Sequence, residues 1–262
     1  IEAPHVFAMD YAVNVRLKDL TIRGAQTGVK AYRTIGCAYD GVRIENNRSS
    51  GLALDYCENT KVVRSILFQN NSVTSGVAVA LGNSTLAIEN SVLWDSPTAV
   101  SVDASSLTVT NSALEANGVN GRIYAFSVSA SAAIGYRGDY NSYMRRNGAL
   151  LAEQSMLVGG NDYYGNLPGW SALNGSDRHS MALDPLFANA IGGDFHPRSS
   201  GGRFVAATGS WTNDMTNSPL LDAGALDWPV GNERDPNGDV VNLGAYGGTA
   251  QASMSQTNPW LR

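Results

Sequence analysis

Charge is scarce in this sequence. Asp, Glu, Lys and Arg together make up 16% of its 262 residues, well under the roughly 25% of an average soluble domain. The formal net charge is −5, which gives neither the basic face that nucleic-acid binding calls for nor attraction to an anionic membrane surface. Cysteine is rarer still. Cys37 and Cys57 are too few for a disulfide framework, and no Cys/His group has the spacing of a zinc site. Pairing of the two, and burial as separate core thiols, both remain open at this stage. No apolar run approaches the roughly 20 residues a helix needs to cross a bilayer. The chain shows no signal-peptide pattern and opens at Ile1, so it is expected to be a processed or excised piece of something longer.

What the sequence does have is glycine, 28 residues of it, together with frequent Asn, Ser and Thr and an apolar content of 43%. That combination suits a turn-rich β protein with a polar but mostly neutral surface and enough length to bury a substantial core.

A repeat carries the fold. Gly28-Val29-Lys30-Ala31-Tyr32 returns in form as Gly51-Leu52-Ala53-Leu54-Asp55, as Gly76-Val77-Ala78-Val79-Ala80 and as Ala99-Val100-Ser101-Val102-Asp103, at steps of 23, 25 and 23 residues. Phe7-Ala8-Met9-Asp10-Tyr11 is an earlier copy, matching Leu52-Ala53-Leu54-Asp55-Tyr56. A second apolar alternation precedes each glycine: Leu20-Thr21-Ile22, Val42-Arg43-Ile44, Ile66-Leu67-Phe68 and Val92-Leu93-Trp94. A third, weaker one centres on Leu17, Val63, Ile88 and Val109, and polar turns such as Asn46-Asn47 and Asn70-Asn71 separate the segments. Short alternating segments are strands with one buried face, and a fixed period marks a stacked repeat. Leucine-rich repeats share the period but require a leucine consensus and a helical segment that are missing, and a β-sandwich would not repeat at near-constant spacing. The spacing therefore predicts an all-β parallel β-helix with three-strand coils of about 21–25 residues. Stacked coils should lie roughly 4.8 Å apart, with apolar ladders inside and Asn ladders in the turns.

The expected organisation is one continuous domain. Residues 1–120 form regular coils. Residues 121–183 form irregular coils, Ile123 to Ile134 and Tyr136 to Tyr143 among them, with a short helix in the stretch Leu167 to Ser180 anchored by Trp170. Residues 184–262 form C-terminal coils and an irregular cap, since an open β-helix end is an exposed sheet edge. The repeat is already running at Phe7 without a cap before it, so edge-to-edge association of chains at the N-terminal coil is a further expectation.

The C-terminal half carries recognisable motifs. Gly138-Asp139-Tyr140-Asn141-Ser142-Tyr143, the stretch Trp170 to Ser180, Asp184-Pro185-Leu186-Phe187, Asp194-Phe195-His196-Pro197, Ser218 to Gly224 and Asn242 to Thr249 follow one another in order. This series resembles bacterial right-handed β-helix repeat proteins of the pectate-lyase-like superfamily. The resemblance implies a secreted or cell-surface protein whose partner is a polysaccharide. The motifs themselves look like framework, with the Asp222 and Asp184 carboxylates accepting backbone N–H bonds in turns. His179 stands beside Asp177 and Ser180, but three neighbours in one loop rarely converge as a catalytic triad requires, and no nucleophile elbow is present.

Candidate chemistry lies in the early coils. The repeat alignment places Asp10, Tyr32, Asp55, Ala80 and Asp103 in one outward column and Tyr11, Arg33, Tyr56, Leu81 and Ala104 in the next. Ala8, Lys30, Ala53, Ala78 and Ser101 form a third. Functional side chains concentrate at Asp10, Tyr11, Lys30, Tyr32, Arg33, Asp55 and Tyr56. A polysaccharide lyase acting on uronic acids could use Arg33 or Lys30 to neutralise the sugar carboxylate, with a base or Tyr removing the adjacent proton. Asp10 and Asp55, two coils and roughly 9.6 Å apart along the stack, stand near the separation of an inverting hydrolase pair. Calcium is a third use of such acids. Against catalysis stand non-catalytic glycan binding by the tyrosines, with Asp10 and Asp55 as contacts, and a surface scaffold module whose outward polar residues are ordinary solvated positions.

Overall fold

Each of the first six coils contributes one strand to each of three sheets. The computed structural model describes residues 4–70, 76–127, 135–155 and 160–256. Strands of the first sheet run from His5–Asp10 through Thr27–Tyr32, Ser50–Asp55, Val77–Gly82, Thr98–Asp103 and Arg122–Ser127 to Leu150–Ser155, all in parallel, and the antiparallel strand Asn161–Tyr164 closes that edge. The second sheet runs from Arg16–Lys18 to Gly135–Asp139 and the third from Thr21–Arg23 to Ser142–Arg146.

Register follows burial. Phe7, Val29, Leu52, Val79, Val100 and Tyr124 stack inward on the first sheet. Leu17, Tyr39, Val62, Ile88 and Val109 do so on the second, and Ile22, Ile44, Leu67, Leu93 and Leu114 on the third. A one-residue slip would turn a whole strand inside out, so these ladders fix the pairing. Two expectations shift by one place here. Val62 rather than Val63 faces inward, and in the third and fourth coils Leu67 and Leu93 face inward while Ile66, Phe68, Val92 and Trp94 face out.

The corners share one device. Tyr11, Arg33, Tyr56, Asn83 and Ala104 turn the first sheet into the second with φ between 46° and 56°. Asp19, Gly41, Arg64, Asn90, Asn111 and Tyr140 turn the second into the third, and Gly24, Asn46, Gln69, Asp95, Gly118 and Asn147 turn the third back, all with positive φ. Glycine, Asn and Asp bear this left-handed conformation at least cost, which accounts for much of the composition. Asn47 and Asn70 form the expected ladder, the Asn47 amide donating to Asn70 Oδ1 at 2.9 Å. A serine ladder under the second corner went unforeseen: Ser65, Ser91 and Ser112 each accept a backbone N–H from the coil before at 3.1–3.2 Å, and Asn141 continues the series at 3.0 Å. Cys37 and Cys57 are buried free thiols.

The helix falls where expected, at Leu167–Asn174, capped by Asn166 and ended by Gly175 in the left-handed region, with Trp170 buried. It lies beside the end of the first sheet, in contact with its last two strands. The long irregular segment after residue 184 has a different place from an end cap: it runs along the outer face of the third sheet. Phe195 packs on Phe68 and Phe187 on Trp94, with ring centres 5.2 and 5.1 Å apart. Asn90 Nδ2 donates to Asn242 O, and Ala225 N to Asn111 Oδ1. Together with Ile66, Val92, Leu220 and Leu243 these residues form a second apolar core. Its cause is local: Ile66-Leu67-Phe68 and Val92-Leu93-Trp94 are apolar on both faces, so their outer face needs a cover.

Candidate functional site

The outer edge of the first sheet in the first three coils holds the side chains singled out above. Register places Asp10, Tyr32 and Asp55 side by side, as expected, and Ala8, Lys30 and Ala53 in the parallel column. The fourth coil corrects the alignment: Gly82, not Ala80, continues the Asp10 column, and Ala80, not Ala78, continues that of Lys30. Asn83, not Leu81, occupies the corner next to Tyr56; Tyr56 N donates to Gly82 O and Asn83 N to Asp103 O. The step from Leu52 to Val79 is 27 residues, and 71–75 within it fall outside the described residues. Aligning on Ser84 and Ser105, each two residues past the strand end, would have revealed the slip.

At the corner Tyr11, Arg33 and Tyr56 stack in successive coils with Tyr32 beside them. Arg33 Nη1 donates to the Tyr11 hydroxyl at 3.2 Å, and the guanidinium carbon lies 5.8, 5.1 and 5.8 Å from the ring centres of Tyr11, Tyr32 and Tyr56. Tyr32 meets both neighbours edge to face at 6.0 Å. Tyr11 and Tyr56 remain 64% and 50% exposed, so their rings are open to a ligand. The Tyr11 hydrogen bond, and then the surrounding tyrosines, push the Arg33 pKa above its ordinary value, which keeps it cationic. Its other N–H groups meet no protein acceptor among the described residues, which suits two-pronged recognition of a carboxylate.

Lys30 is exposed three residues earlier on the same chain segment and has no hydrogen-bond or ion-pair partner among the described residues. Asp10 and Asp55 flank Tyr32 rather than facing each other across an open gap. Among the described residues no three His, Cys, Asp or Glu side chains converge. Chemically the site joins an aromatic platform to a cation with open donors.

Residues 6–166 match a family model described as the right handed beta helix region. The chain belongs to the right-handed β-helix family. A comparison with curated proteins finds no match. The pectate-lyase-like superfamily is consistent with this membership.

Elsewhere on the β-helix, the sequence motifs resolve into framework. His179 Nδ1 bonds to Asp139 Oδ2 at 2.8 Å and its ring stacks on Tyr140. Asp177 instead accepts from the Tyr136, Tyr143 and Ser180 hydroxyls at 2.7 Å and from Trp170 Nε1 at 3.1 Å. No triad forms. Asp184 accepts the Leu186 N–H as expected of a turn. Asp222 departs from that reading: its carboxylate accepts the Ser255 hydroxyl, and its own N–H donates to Asn242. One group on the first sheet escaped sequence reasoning. At the far end Arg122 Nε donates to Glu153 Oε2 at 2.6 Å, Asn161 to Glu153 Oε1 at 2.6 Å, and the guanidinium lies 5.8 Å from the exposed ring of Tyr163. Tyr163 belongs to the antiparallel edge strand, outside the parallel repeat, so no periodicity could flag it.

Proposed function

We propose that this β-helix binds a polysaccharide bearing uronic-acid carboxylates, outside the cell, at the Tyr11–Arg33–Tyr56 corner. Tyr11, Tyr32 and Tyr56 stack against sugar rings and Arg33 takes the carboxylate, while Lys30, Asp10 and Asp55 contact the flanking hydroxyl and carboxylate groups. One observation carries the reading. Bulky Tyr and Arg residues occupy left-handed positions at this corner, where Asn, Asp or Gly is cheaper by about 1–2 kcal/mol per residue. Elsewhere such positions are compensated inside the protein: Arg64 holds Asp40 at 2.6 Å, Gln69 holds Asp95 at 3.0 Å, and Tyr140 stacks on His179. Tyr11, Arg33 and Tyr56 contact one another and Tyr32, with their outer surfaces open to solvent.

Catalysis is the second reading, supported by Lys30 and Arg33 reaching the same face. In it Arg33 stabilises the developing charge on the sugar carboxylate while Lys30, as the free amine, takes the adjacent proton; the carbon–carbon double bond forms as the glycosidic C–O bond breaks, and the leaving oxygen takes a proton from water. Titration with a panel of polyuronates, with and without calcium, tests both readings together. Saturable binding that weakens in Arg33→Ala supports the binding module, and growth of absorbance near roughly 235 nm from an unsaturated product adds the lyase. Absence of binding to every polyuronate overturns both and leaves the scaffold reading.

A further inference from the structure

A cleft of about 480 Å³ opens on a different side of the molecule, where the corner between the second and third sheets meets residues 245–251 of the C-terminal segment. That volume falls in the roughly 300–1,000 Å³ range of small-molecule sites. Lys18, Arg43 and Arg64 line one wall and Tyr246 and Gln251 the other.

Charge within the cleft is only partly neutralised. Asp40, at its base, is 3% exposed and is held by Arg16 and by Arg64 through Nε and Nη2. Asp19 lies 3.3 Å from Lys18 at the exposed rim. Arg43 is fixed by Glu45 and by Gly193 O, to which Nη1 donates at 3.0 Å. This leaves Arg64 Nη1 and the Tyr246 hydroxyl without acceptors among the described residues, while Arg43 Nη2 lies against Gly193. Burial pushes the Tyr246 pKa up to about 12, so the hydroxyl stays a donor at neutral pH.

The second wall is rigid. Tyr246 stacks on buried His196 with ring centres 3.5 Å apart. Glu233 Oε1 accepts the N–H groups of both Asn242 and Gly248 at 2.8 Å, and the Thr249 hydroxyl donates to Tyr246 O at 2.7 Å. The motif Asn242 to Thr249, framework by sequence, is thereby held as a preformed lip over the cations, which lowers the ordering cost of binding.

We propose that this cleft is a second binding site, separate from the tyrosine corner, for a sugar-sized ligand carrying an oxyanion, either a carboxylate or a sulfate ester. Arg64 faces the oxyanion, Lys18 adds charge at the rim, Arg43 contributes charge from the wall, and Tyr246 and Gln251 bond the ring hydroxyls. The inference does not depend on what the tyrosine corner binds.

Calorimetric titration of the whole chain with glucuronate, glucose 6-sulfate and glucose tests it. The expected result is binding of at least one anionic sugar, with glucose at least tenfold weaker; the two anionic arms tell carboxylate from sulfate ester. The Lys18→Gln, Tyr246→Phe double variant keeps the ring on His196 and the Asp40 cluster intact, and should bind at least fivefold more weakly at unchanged Tm. The measurement is repeated in an Arg33→Ala background, where the tyrosine corner has lost its carboxylate contact: the binding that remains belongs to the cleft and should still fall at least fivefold with Lys18→Gln, Tyr246→Phe. Equal affinity for glucose, no binding of either anionic sugar, an unaffected double variant, or disappearance of all anionic-sugar binding in Arg33→Ala would each overturn the proposal.

Discussion

Arg33 of the second coil donates to the hydroxyl of Tyr11, one coil before it, at 3.2 Å. A guanidinium held by one hydrogen bond and three rings is oriented without being neutralised. Lysine cannot reproduce this, because its ammonium is a strongly hydrated point charge without a planar fork. Arg33→Lys should therefore weaken polyuronate binding about tenfold, the scale of losing one charge-assisted hydrogen bond of roughly 1.5 kcal/mol. Calorimetry on a polyuronate and on a neutral glycan checks it: equal losses on both would show that Arg33 does not read the carboxylate.

Tyr56 provides a sharper test, because stability and binding should move in opposite directions. Its φ of 53° is one that Asn adopts more readily than Tyr. Tyr56→Asn is expected to leave the protein as stable or more stable by up to about 1 kcal/mol while glycan affinity falls several-fold. Urea unfolding and a binding titration on the same preparation decide the matter. Lower stability with unchanged affinity would make Tyr56 a structural residue.

The parts of this molecule that were legible beforehand are those that follow a period. Val29, Leu52 and Val100 recur because each coil must bury the same face, and Asp10, Tyr32 and Asp55 fall beside one another as the repeat requires. Gly76 misled by two residues because an insertion before it changed the step, and a two-residue slip preserves the inward-outward alternation that would otherwise expose it. The side-on packing of the C-terminal segment was written in Ile66-Leu67-Phe68 and Val92-Leu93-Trp94, whose continuous apolarity is the mark of a doubly covered strand. Arg43, Arg64 and Tyr246 are far apart in the chain and non-periodic, so only the folded geometry brings them to one cleft.

That side-on packing makes Phe195 a keystone. Its ring is fully buried and meets Phe68, Trp94 and Phe187 at 5.2, 6.0 and 5.3 Å. Phe195→Ala should cost about 3–5 kcal/mol, the usual range for a buried aromatic removed from a core. The loss should appear first as proteolytic cleavage within residues 190–256, with the coils persisting. Limited proteolysis followed by mass spectrometry of the fragments would reveal it; cleavage spread evenly over the early coils would mean that the two cores unfold as one.

Glu233 sets a pH dependence whose sign is opposite to that of a salt-bridged acid. Burial raises its pKa from 4.5 to about 7, against two backbone hydrogen bonds that pull it down. Oε2 is buried without a partner. Below about pH 4.5 the carboxyl is protonated both folded and unfolded, and it costs nothing. Between about 4.5 and 7 the folded chain holds a proton that the unfolded chain has released, so stability from this group declines as pH rises, and above 7 the full penalty of about 3 kcal/mol applies. Asp222, whose pKa burial also raises, adds in the same direction. Arg-paired Asp40 and Asp214, held below the ordinary carboxylate range despite burial, act oppositely and only at more acid pH. Glu233→Gln keeps an acceptor for Asn242 and Gly248 but has no charge to bury. Its stability should exceed that of the unmodified chain at pH 8, and the difference should shrink towards pH 5. Thermal unfolding of both proteins across pH 5 to 8 measures this; parallel curves would show that Glu233 carries its charge in the fold without penalty.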